Sequence, residues 1–223
     1  MKRLKDSPMR EILATFLFTL ACTTLSAQAP PSIADAPASH TYSDPLGFSY
    51  AIPTDWQVVD SKPTLPETRE KATLSPSSQN EKKGAACSQL GLTARHGDPG
   101  SVIVQVALPF DCFGRHLTQD DLPGFGAGAQ EGIKHNFVFG DPRVATYTLG
   151  THHLWAERAQ GTPGGQPDKH YTIEISCALL GKAAVCWMTM AADAPSLAVF
   201  ENGAVTLEDD SPAPLVPAGT FKQ

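Results

Sequence analysis

The amino-acid sequence predicts an α+β fold with an antiparallel sheet, and three observations indicate it. Residues 170–192 have the pattern of a tight hairpin, and residues 86–110 have the pattern of two strands around a turn. Residues 118–136 and 193–204 instead carry apolar side chains at helical spacing. With 223 residues, of which 41% are hydrophobic, the chain has enough apolar material for one domain with a substantial core.

Residues 1–27 have the layout of a secretory signal peptide. Four basic residues precede an apolar run over residues 12–22, and small residues follow it. The run is too short to span a bilayer comfortably, so we expect an extracytoplasmic (periplasmic or secreted) protein whose mature chain has no transmembrane helix. A weak lipobox ending at Cys22 leaves a lipid anchor open as the alternative. Residues 28–39, rich in Pro and Ala, are typical of a flexible linker.

The mature chain is acidic. Removing residues 1–27 takes away four basic and two acidic residues and leaves 13 basic against 21 acidic, a net charge of −8. A surface of this sign disfavours nucleic acid or an anionic membrane as the partner. We therefore expect the partner to be a protein or a small ligand of the cell envelope.

Three short strands follow the linker. We predict them at residues 41–43, 48–52 and 56–59, with an Asp-Pro-Leu-Gly turn between the first two. Residues 61–84 are polar and contain three prolines, which predicts a long loop.

The next strand pair sets a problem of register. Symmetric pairing of its strands about the turn brings Cys87 opposite Cys112. The apolar pattern resists this pairing, because it places Leu90 and Leu92 on the face opposite to the valines of the second strand. Either both faces are covered, which we favour, or a β-bulge shifts the register and the cysteines find other partners.

Two helices are predicted. In residues 118–136, Leu122 and Phe125 begin an apolar stripe, and we expect the glycines spaced four residues apart beside it to let the helix approach the sheet closely. In residues 193–204, Asp193 is the predicted N-cap, and the inward-facing side chains are predicted to be Leu197 and Phe200.

Two further strands are predicted at residues 143–149 and 152–160, hinged at Gly150. Residues 208–223 contain three prolines and are predicted to form a loosely ordered C-terminal tail. Residues 40–207 then form a single domain.

The hairpin around Gly181 predicts a covalent link. A Gly first in a two-residue loop favours a type II′ turn, which needs a positive φ at that residue. The resulting register places Cys177 opposite Cys186 at a non-hydrogen-bonded position, where a cross-strand disulfide fits. Four cysteines in an exported chain allow three pairings, and we predict two disulfides, Cys177–Cys186 and Cys87–Cys112.

The two faces of this hairpin differ in polarity. One face is apolar and is expected in the core, whereas the other alternates polar side chains with a tryptophan. A helix over this second face would make the hairpin a scaffold, and an uncovered face would bind a partner. The tentative binding surface consists of Trp187, Glu174, Ser176 and Thr189.

No catalytic signature is recognised. Residues 124–129 match G-x-G-x-x-A, but the strand and acidic residue that a dinucleotide site needs are missing. Adjacent strand residues point to opposite faces, so His152 and His153 do not readily chelate one ion. We therefore assign no catalytic, cofactor-binding or metal-binding residue. An uncharacterised hydrolase or metal-dependent enzyme using His152 or His153 is the alternative.

Residues 42–56, YSDPLGFSYAIPTDW, resemble the opening of PsbP-like domains, in which Y-x-D-x-x-G-F-S-x-x-x-P-x-x-W leads into the first strands. Leu149-Gly150 before an aromatic-bearing strand is similar to the middle of that pattern, and the last hairpin and helix are similar to its end. The resemblance implies an α/β/α sandwich around an antiparallel sheet of about six strands. It also implies a non-enzymatic accessory or binding role, here for an exported, disulfide-stabilised protein of the bacterial envelope.

Overall fold

The computed structural model describes residues 40–59, 87, 89–97, 100–113, 115–127 and 137–221. The predicted signal peptide and linker, residues 1–39, and the predicted polar loop, residues 61–84, lie outside these ranges. The described strands are, in chain order, β1 (His40–Asp44), β2 (Phe48–Ile52), β3 (Gln57–Val58), β4 (Gln89–His96), β5 (Ser101–Pro109), β6 (Phe137–Phe139), β7 (Arg143–Leu149), β8 (His152–Pro163), β9 (Tyr171–Leu179), β10 (Ala183–Ala191), β11 (Ala204–Leu207) and β12 (Ala213–Pro214).

These strands form two antiparallel sheets, so the fold is α+β. The larger sheet has the order β3-β4-β5-β10-β9-β8-β6, and β7 pairs with β8 on the same edge as β6. The smaller sheet has the order β1-β2-β11-β12. The larger sheet therefore has eight strands rather than about six. β3 lies within the strand predicted at residues 56–59, whereas β6 has only three residues and is too short for an alternating pattern to be recognised.

Both faces of the eight-stranded sheet are covered. One face packs against the helical residues 122–127, whose Leu122 and Phe125 are buried among its side chains. The other face packs against the four-stranded sheet and the helix Ala194–Asn202, which contributes Phe200. This cover explains why all nine residues of β10 are buried and why β5 is apolar on both sides. The four-stranded sheet is a layer that the predicted α/β/α sandwich does not include.

A β-bulge interrupts the pairing of β4 with β5. Leu90 pairs with Val106, but Thr93 pairs with Val104, so the register shifts between Leu90 and Thr93. The shift sends Leu90 and Leu92 to opposite faces of the sheet, where they join different apolar clusters. Both alternatives derived from the sequence are thus observed, because the faces are covered and a bulge is present.

The first predicted helix is described only up to residue 127. Before the helical residues 122–127, a single turn is capped by Asp121, whose carboxylate accepts a hydrogen bond from the Thr118 N–H at 2.8 Å. The close approach to the sheet occurs at Gly126, where a Cβ atom would collide with the Trp155 indole. Gly126 is not one of the predicted glycines, of which Gly124 is buried and Gly128 and Gly132 lie outside the described residues.

The second helix spans Ala194–Asn202. Asp193 is its N-cap, as predicted, and its Oδ1 atom accepts a hydrogen bond from the Ser196 N–H at 2.7 Å. Phe200 is buried as predicted, but Leu197 is only half-buried and Ser196 takes the other buried position. The helix is short and weakly amphipathic, so the inward side was not evident from the spacing of Leu197.

The C-terminal segment is not a loosely ordered tail. Its strand β12 pairs with β11, and the next two side chains, Leu215 and Val216, are buried in the core. The Leu215 N–H donates to the Gly203 carbonyl oxygen at 3.0 Å. Pro214 obscured this strand in the sequence, but proline is tolerated on the edge of a sheet, where its missing N–H is not needed.

The β9–β10 hairpin has the predicted register, and both disulfides are present. Cys177 pairs directly with Cys186, with 4.1 Å between their Cα atoms, and the Cys87–Cys112 bond joins Cα atoms 5.7 Å apart. The turn itself differs from type II′, because Gly181 has no positive φ. Tertiary contacts hold the turn instead, since the Gly181 N–H donates to a Glu208 carboxylate oxygen at 2.8 Å.

Among the described residues, no helix combines the length and the apolar content that crossing a bilayer requires.

Candidate functional site

The tentative binding surface predicted from the sequence is buried. All four of its side chains are 0% exposed, so a partner does not reach them: Trp187, Glu174, Ser176 and Thr189. The four-stranded sheet and the helix Ala194–Asn202 cover this face of the hairpin, and the Trp187 ring packs edge-on against Phe48 with 5.7 Å between ring centroids. The predicted exposure of these four side chains is wrong, because they lie on a face of the sheet that other elements cover.

This face contains a partly buried ion cluster, in which Glu174 is fully buried and Arg158 and Glu201 are partly exposed. Arg158 Nε donates to Glu174 Oε2 at 2.5 Å, and Arg158 Nη2 also pairs with Glu201 on the helix. The Phe221 ring lies 4.2 Å from the guanidinium carbon of Arg158. Burial raises the pKa of Glu174 to about 7, although the nearby Arg158 acts in the opposite direction. The cluster therefore holds a titratable carboxyl group inside the fold.

Several polar atoms of this buried layer have no hydrogen-bond partner among the described residues. They include Oε1 of Glu174, Nε1 of Trp187 and both amide atoms of Gln105. Trp187 pairs with Gln105 across β10 and β5, so these side chains share one face of the sheet. Unpaired buried polar groups are costly, which marks this layer as a specific feature rather than simple apolar packing.

His152 joins two carboxylates at one end of the sheets. Its Nδ1 atom lies 2.8 Å from Asp210 Oδ2, and its Nε2 atom lies 2.9 Å from Glu208 Oε2. Glu208 adopts a φ of 50°, which is uncommon for a residue other than glycine, and its N–H donates to the Gly47 carbonyl oxygen. A backbone hydrogen bond from Gly181 is the main cause that lowers the pKa of Glu208.

This arrangement occupies both ring nitrogens of His152. Neither nitrogen offers a free lone pair to a metal ion or to a substrate proton while both contacts are kept. The neighbouring His153 side chain is exposed, as expected when adjacent strand residues point to opposite faces. His152 therefore links the start of β8 to the segment that follows β11.

A cleft of about 750 Å³ lies at the opposite end of the eight-stranded sheet. Its size is typical of a small-molecule site. Its lining residues are Asp55, Gln57, Arg95, His96, Gly97, Gly100, Val102, Phe137, Pro163, Gln166, Lys169, Tyr171 and Met190. They come from five separate stretches of the sequence. β3, β4 and the residues beside them form one wall, the loop between β8 and β9 forms the other, and central strands form the floor.

The floor and walls of the cleft differ in chemistry. The floor is apolar and aromatic, because Val102, Met190 and Tyr171 extend from β5, β10 and β9. One wall carries Arg95, whose Nε atom donates to Gln57 Oε1 at 3.4 Å. The other wall carries Lys169, which is exposed and has no ionic partner among the described residues.

Two contacts fix His96 at the mouth of the cleft. Its ring stacks on the buried Trp56 with 5.5 Å between centroids, and its Nε2 atom lies 3.3 Å from Asp55 Oδ2. Asp55 is the one carboxylate among the described lining residues, and it faces this imidazole. No described lining carboxylate therefore pairs with Arg95 or Lys169.

Sequence reasoning missed the cleft. Arg95 and Lys169 lie far apart in the chain, and only the strand order β4-β5-β10-β9 brings them to the same end of the sheet. The one available signal was the position of polar residues at strand ends beside turns, which is too common to be diagnostic.

A second depression, of about 440 Å³, lies between β2 and the helix Ala194–Asn202. Its lining residues carry no charge: Ala51, Ile52, Pro53, Pro195, Ala198, Val199, Asn202, Gly203 and Ala204. Asn202 is the one polar side chain among these residues, and its amide donates to the Ala198 carbonyl oxygen at 2.8 Å, so the cleft at the sheet end is the stronger candidate.

No family model matches the chain, and no curated protein sequence matches it. Among solved structures, the chain is similar to the solution structure of cyanobacterial PsbP (CyanoP) from Synechocystis sp. PCC 6803, at 14% sequence identity and with a TM-score of 0.43. The similarity covers 76% of this chain and 88% of that chain.

Proposed function

We propose that this chain is an exported, non-enzymatic binding domain of the bacterial cell envelope and that the cleft at the sheet end is its binding site. The observation that carries the proposal is the composition of the cleft. An apolar floor supplies contact area, and a few charged side chains at the walls supply orientation, which is the usual pattern of ligand sites.

The scaffold around the cleft supports a binding role. The floor residues lie on β5, β10 and β9, which are interior strands of the sheet. The Cys177–Cys186 disulfide joins β9 to β10, and Cys87–Cys112 ties the segment before β4 to the one after β5. A site held by rigid elements avoids the entropic cost of ordering when it binds.

Export agrees with the two disulfides, because such bonds persist in oxidising compartments. We expect the signal peptide to be removed at the Ala27–Gln28 bond. N-terminal sequencing of the protein purified from the envelope fraction tests this, and Gln28 should be the first residue. A lipid-modified Cys22 would place the domain on a membrane anchor, and a chain that keeps residues 1–27 in the cytoplasm would contradict export.

A fragment screen by NMR tests the binding role. The ¹⁵N-labelled, oxidised protein purified after export is titrated with a mixed library of charged and neutral fragments. We expect shifts at the backbone amides of Gly97, Gly100 and Lys169 and little change at the Gly181 turn. Consumption of substrates in a hydrolase panel, with no shift in the cleft, would contradict the proposal.

A further inference from the structure

We propose that the cleft selects a carboxylate ligand with an aromatic or aliphatic body, held by Arg95 and Lys169 over the apolar floor. The inference rests on the proposed function and names the ligand class of the same site. The free organic acid and the acidic residues of a peptide share this chemistry, so the test separates these two sources.

Charge is the first argument. The whole chain has a net charge of −6, yet the lining residues of the cleft contain two cations and one carboxylate. That carboxylate, Asp55, already faces His96 at 3.3 Å. Among the described lining residues, lysine and arginine therefore outnumber carboxylates although the protein as a whole is acidic, which favours an anion over a cation as the ligand.

Arg95 is the better placed of the two cations. Its Nε atom donates to Gln57 Oε1 at 3.4 Å and the side chain is half-buried, which restricts the guanidinium before a ligand arrives. No carboxylate pairs with it among the described residues. A guanidinium presents a planar set of donors that matches a carboxylate, which favours this anion over a spherical one.

The apolar floor supplies the second half of the specificity. Tyr171 and Met190 of the floor, and the lining residue Phe137 on β6, are each less than a tenth exposed and belong to the same apolar cluster. The Phe137 and Tyr171 rings meet edge to face, with 6.1 Å between their centroids. A ligand body that rests on these side chains gains apolar contact, so a bare inorganic anion would use only part of the site.

The width of the cleft sets the size of the ligand. Arg95 lies on β4 and Lys169 precedes β9, which are separated by β5 and β10. Three strand spacings place the two backbones roughly 14 Å apart. Both side chains are long enough to reach inward from opposite walls. A ligand with an apolar centre of small-molecule size fits between them, consistent with the volume of about 750 Å³.

The test uses matched probes on the exported, oxidised protein. Phenylbutyrate represents the free acid, and its uncharged control is phenylbutyramide. The peptide acetyl-Glu-Phe-Glu-amide represents the second source, and its control is acetyl-Gln-Phe-Gln-amide. Titrations followed at the amides of Gly97 and Gly100 give the dissociation constants, which we expect to be on the order of millimolar for probes of this size.

Three variants are compared with the wild-type protein. Arg95→Gln and Lys169→Gln each remove one cation of the cleft, whereas Lys182→Gln removes the same charge from the exposed turn at the other end of β9. We expect the carboxylate probes to bind at least about tenfold more tightly than their amides. Arg95→Gln and Lys169→Gln should each weaken carboxylate binding about tenfold, and Lys182→Gln should change it less than twofold.

The outcomes separate the two proposals. Tighter binding of phenylbutyrate than of the peptide identifies a free acid as the source, and the reverse identifies a peptide. Equal affinities for carboxylates and amides, or binding that Arg95→Gln and Lys169→Gln leave unchanged, would overturn the carboxylate inference while leaving the cleft as a binding site. If no probe shifts the cleft amides, the inference also fails, and the mixed fragment screen alone decides whether the cleft binds other ligands.

Discussion

The two faces of the eight-stranded sheet are both covered, but they are stabilised differently. The face against the helical residues 122–127 is dominated by apolar side chains and carries the Cys177–Cys186 disulfide. The opposite face contains a larger apolar cluster among the described residues, yet the Glu174–Arg158 ion pair and several polar atoms without a hydrogen-bond partner lie within it. A polar side chain in an alternating strand therefore identifies a face without showing that the face meets solvent.

The comparison also separates stability from function. Both faces of the central hairpin are covered except at its open end, where Tyr171 and Met190 line the cleft, so we propose that binding occurs there. Variants that destabilise each face in turn should show how the contributions of the two faces to the free energy of unfolding differ.

Replacing Arg158 by Met should have the largest effect. The substitution keeps an apolar stem but leaves Glu174 buried without its counter-ion, so we expect the free energy of unfolding near pH 8 to fall by about 3–5 kcal/mol. Urea denaturation measures it. The double variant Arg158→Met/Glu174→Gln should recover most of the loss, because no buried charge remains. An equal loss in both variants would mean that Arg158 acts through packing alone.

Removing the disulfide of the apolar face should have the next largest effect. The Cys177→Ala/Cys186→Ala variant reopens a loop with a sequence separation of 9, which should lower the free energy of unfolding by about 3 kcal/mol. This loss should be the same at acidic and neutral pH, because no titratable group is exposed. A loss that varies with pH would show that the two faces are coupled.

The pH dependence of stability should come from the polar face. Burial raises the pKa of Glu174 from 4.5 to about 7, so between these values the folded protein keeps a proton that the unfolded chain has released. Its stabilising contribution is complete below 4.5 and is lost as the pH rises through about 7. Glu174→Gln should remove a slope of about 1.4 kcal/mol per pH unit within this window.

The charged and titratable groups around Glu174 are Arg158, Glu201, Tyr50 and Tyr147. Burial raises the pKa values of both tyrosines well above their usual range, so they stay neutral throughout the window. Unfolding curves measured from about pH 4.5 to pH 7 should therefore report Glu174. Equal slopes for the wild-type protein and Glu174→Gln would contradict the assignment.

The smallest expected effect concerns the helix that covers the apolar face. A Cβ atom at Gly126 would collide with the Trp155 ring, so Gly126→Ala should cost about 1–2 kcal/mol even though alanine favours helix formation. Gly140→Ala is the control, because its Cβ would have no neighbour closer than 3.9 Å. Thermal unfolding of both variants measures the difference. Equal melting temperatures would contradict the close approach of the helix to the sheet at Gly126.

Local features of the fold were predictable from the sequence. The pairing of Cys177 with Cys186 follows from a two-residue loop, and the Asp193 cap follows from residues within one turn. The conformation of Gly181 was not predictable from the sequence. It depends on a hydrogen bond to the Glu208 carboxylate, which reaches this turn only in the folded chain. Strand β12 was not predicted for a similar reason, since its two residues form a strand only by pairing with β11.

The candidate site was less accessible to sequence reasoning. Trp187 and Glu174 were placed on the correct face, but whether that face is covered depends on β2, β11 and a helix distant in the chain. Likewise, Arg95 and Lys169 share a cleft because of strand order, which the spacing of residues along the chain does not encode. The strand register depends on residues that are close together in the sequence. The packing of layers and the order of strands depend on residues that are far apart.

One NMR titration tests the central claim most directly, because the same spectrum observes the covered face and the cleft. The indole N–H of Trp187 reports the buried face, and the amides of Gly97 and Gly100 report the cleft. On addition of phenylbutyrate, we predict that the Gly97 and Gly100 signals shift while the Trp187 indole signal stays in place. A shift of the Trp187 indole signal with unchanged cleft amides would contradict the account.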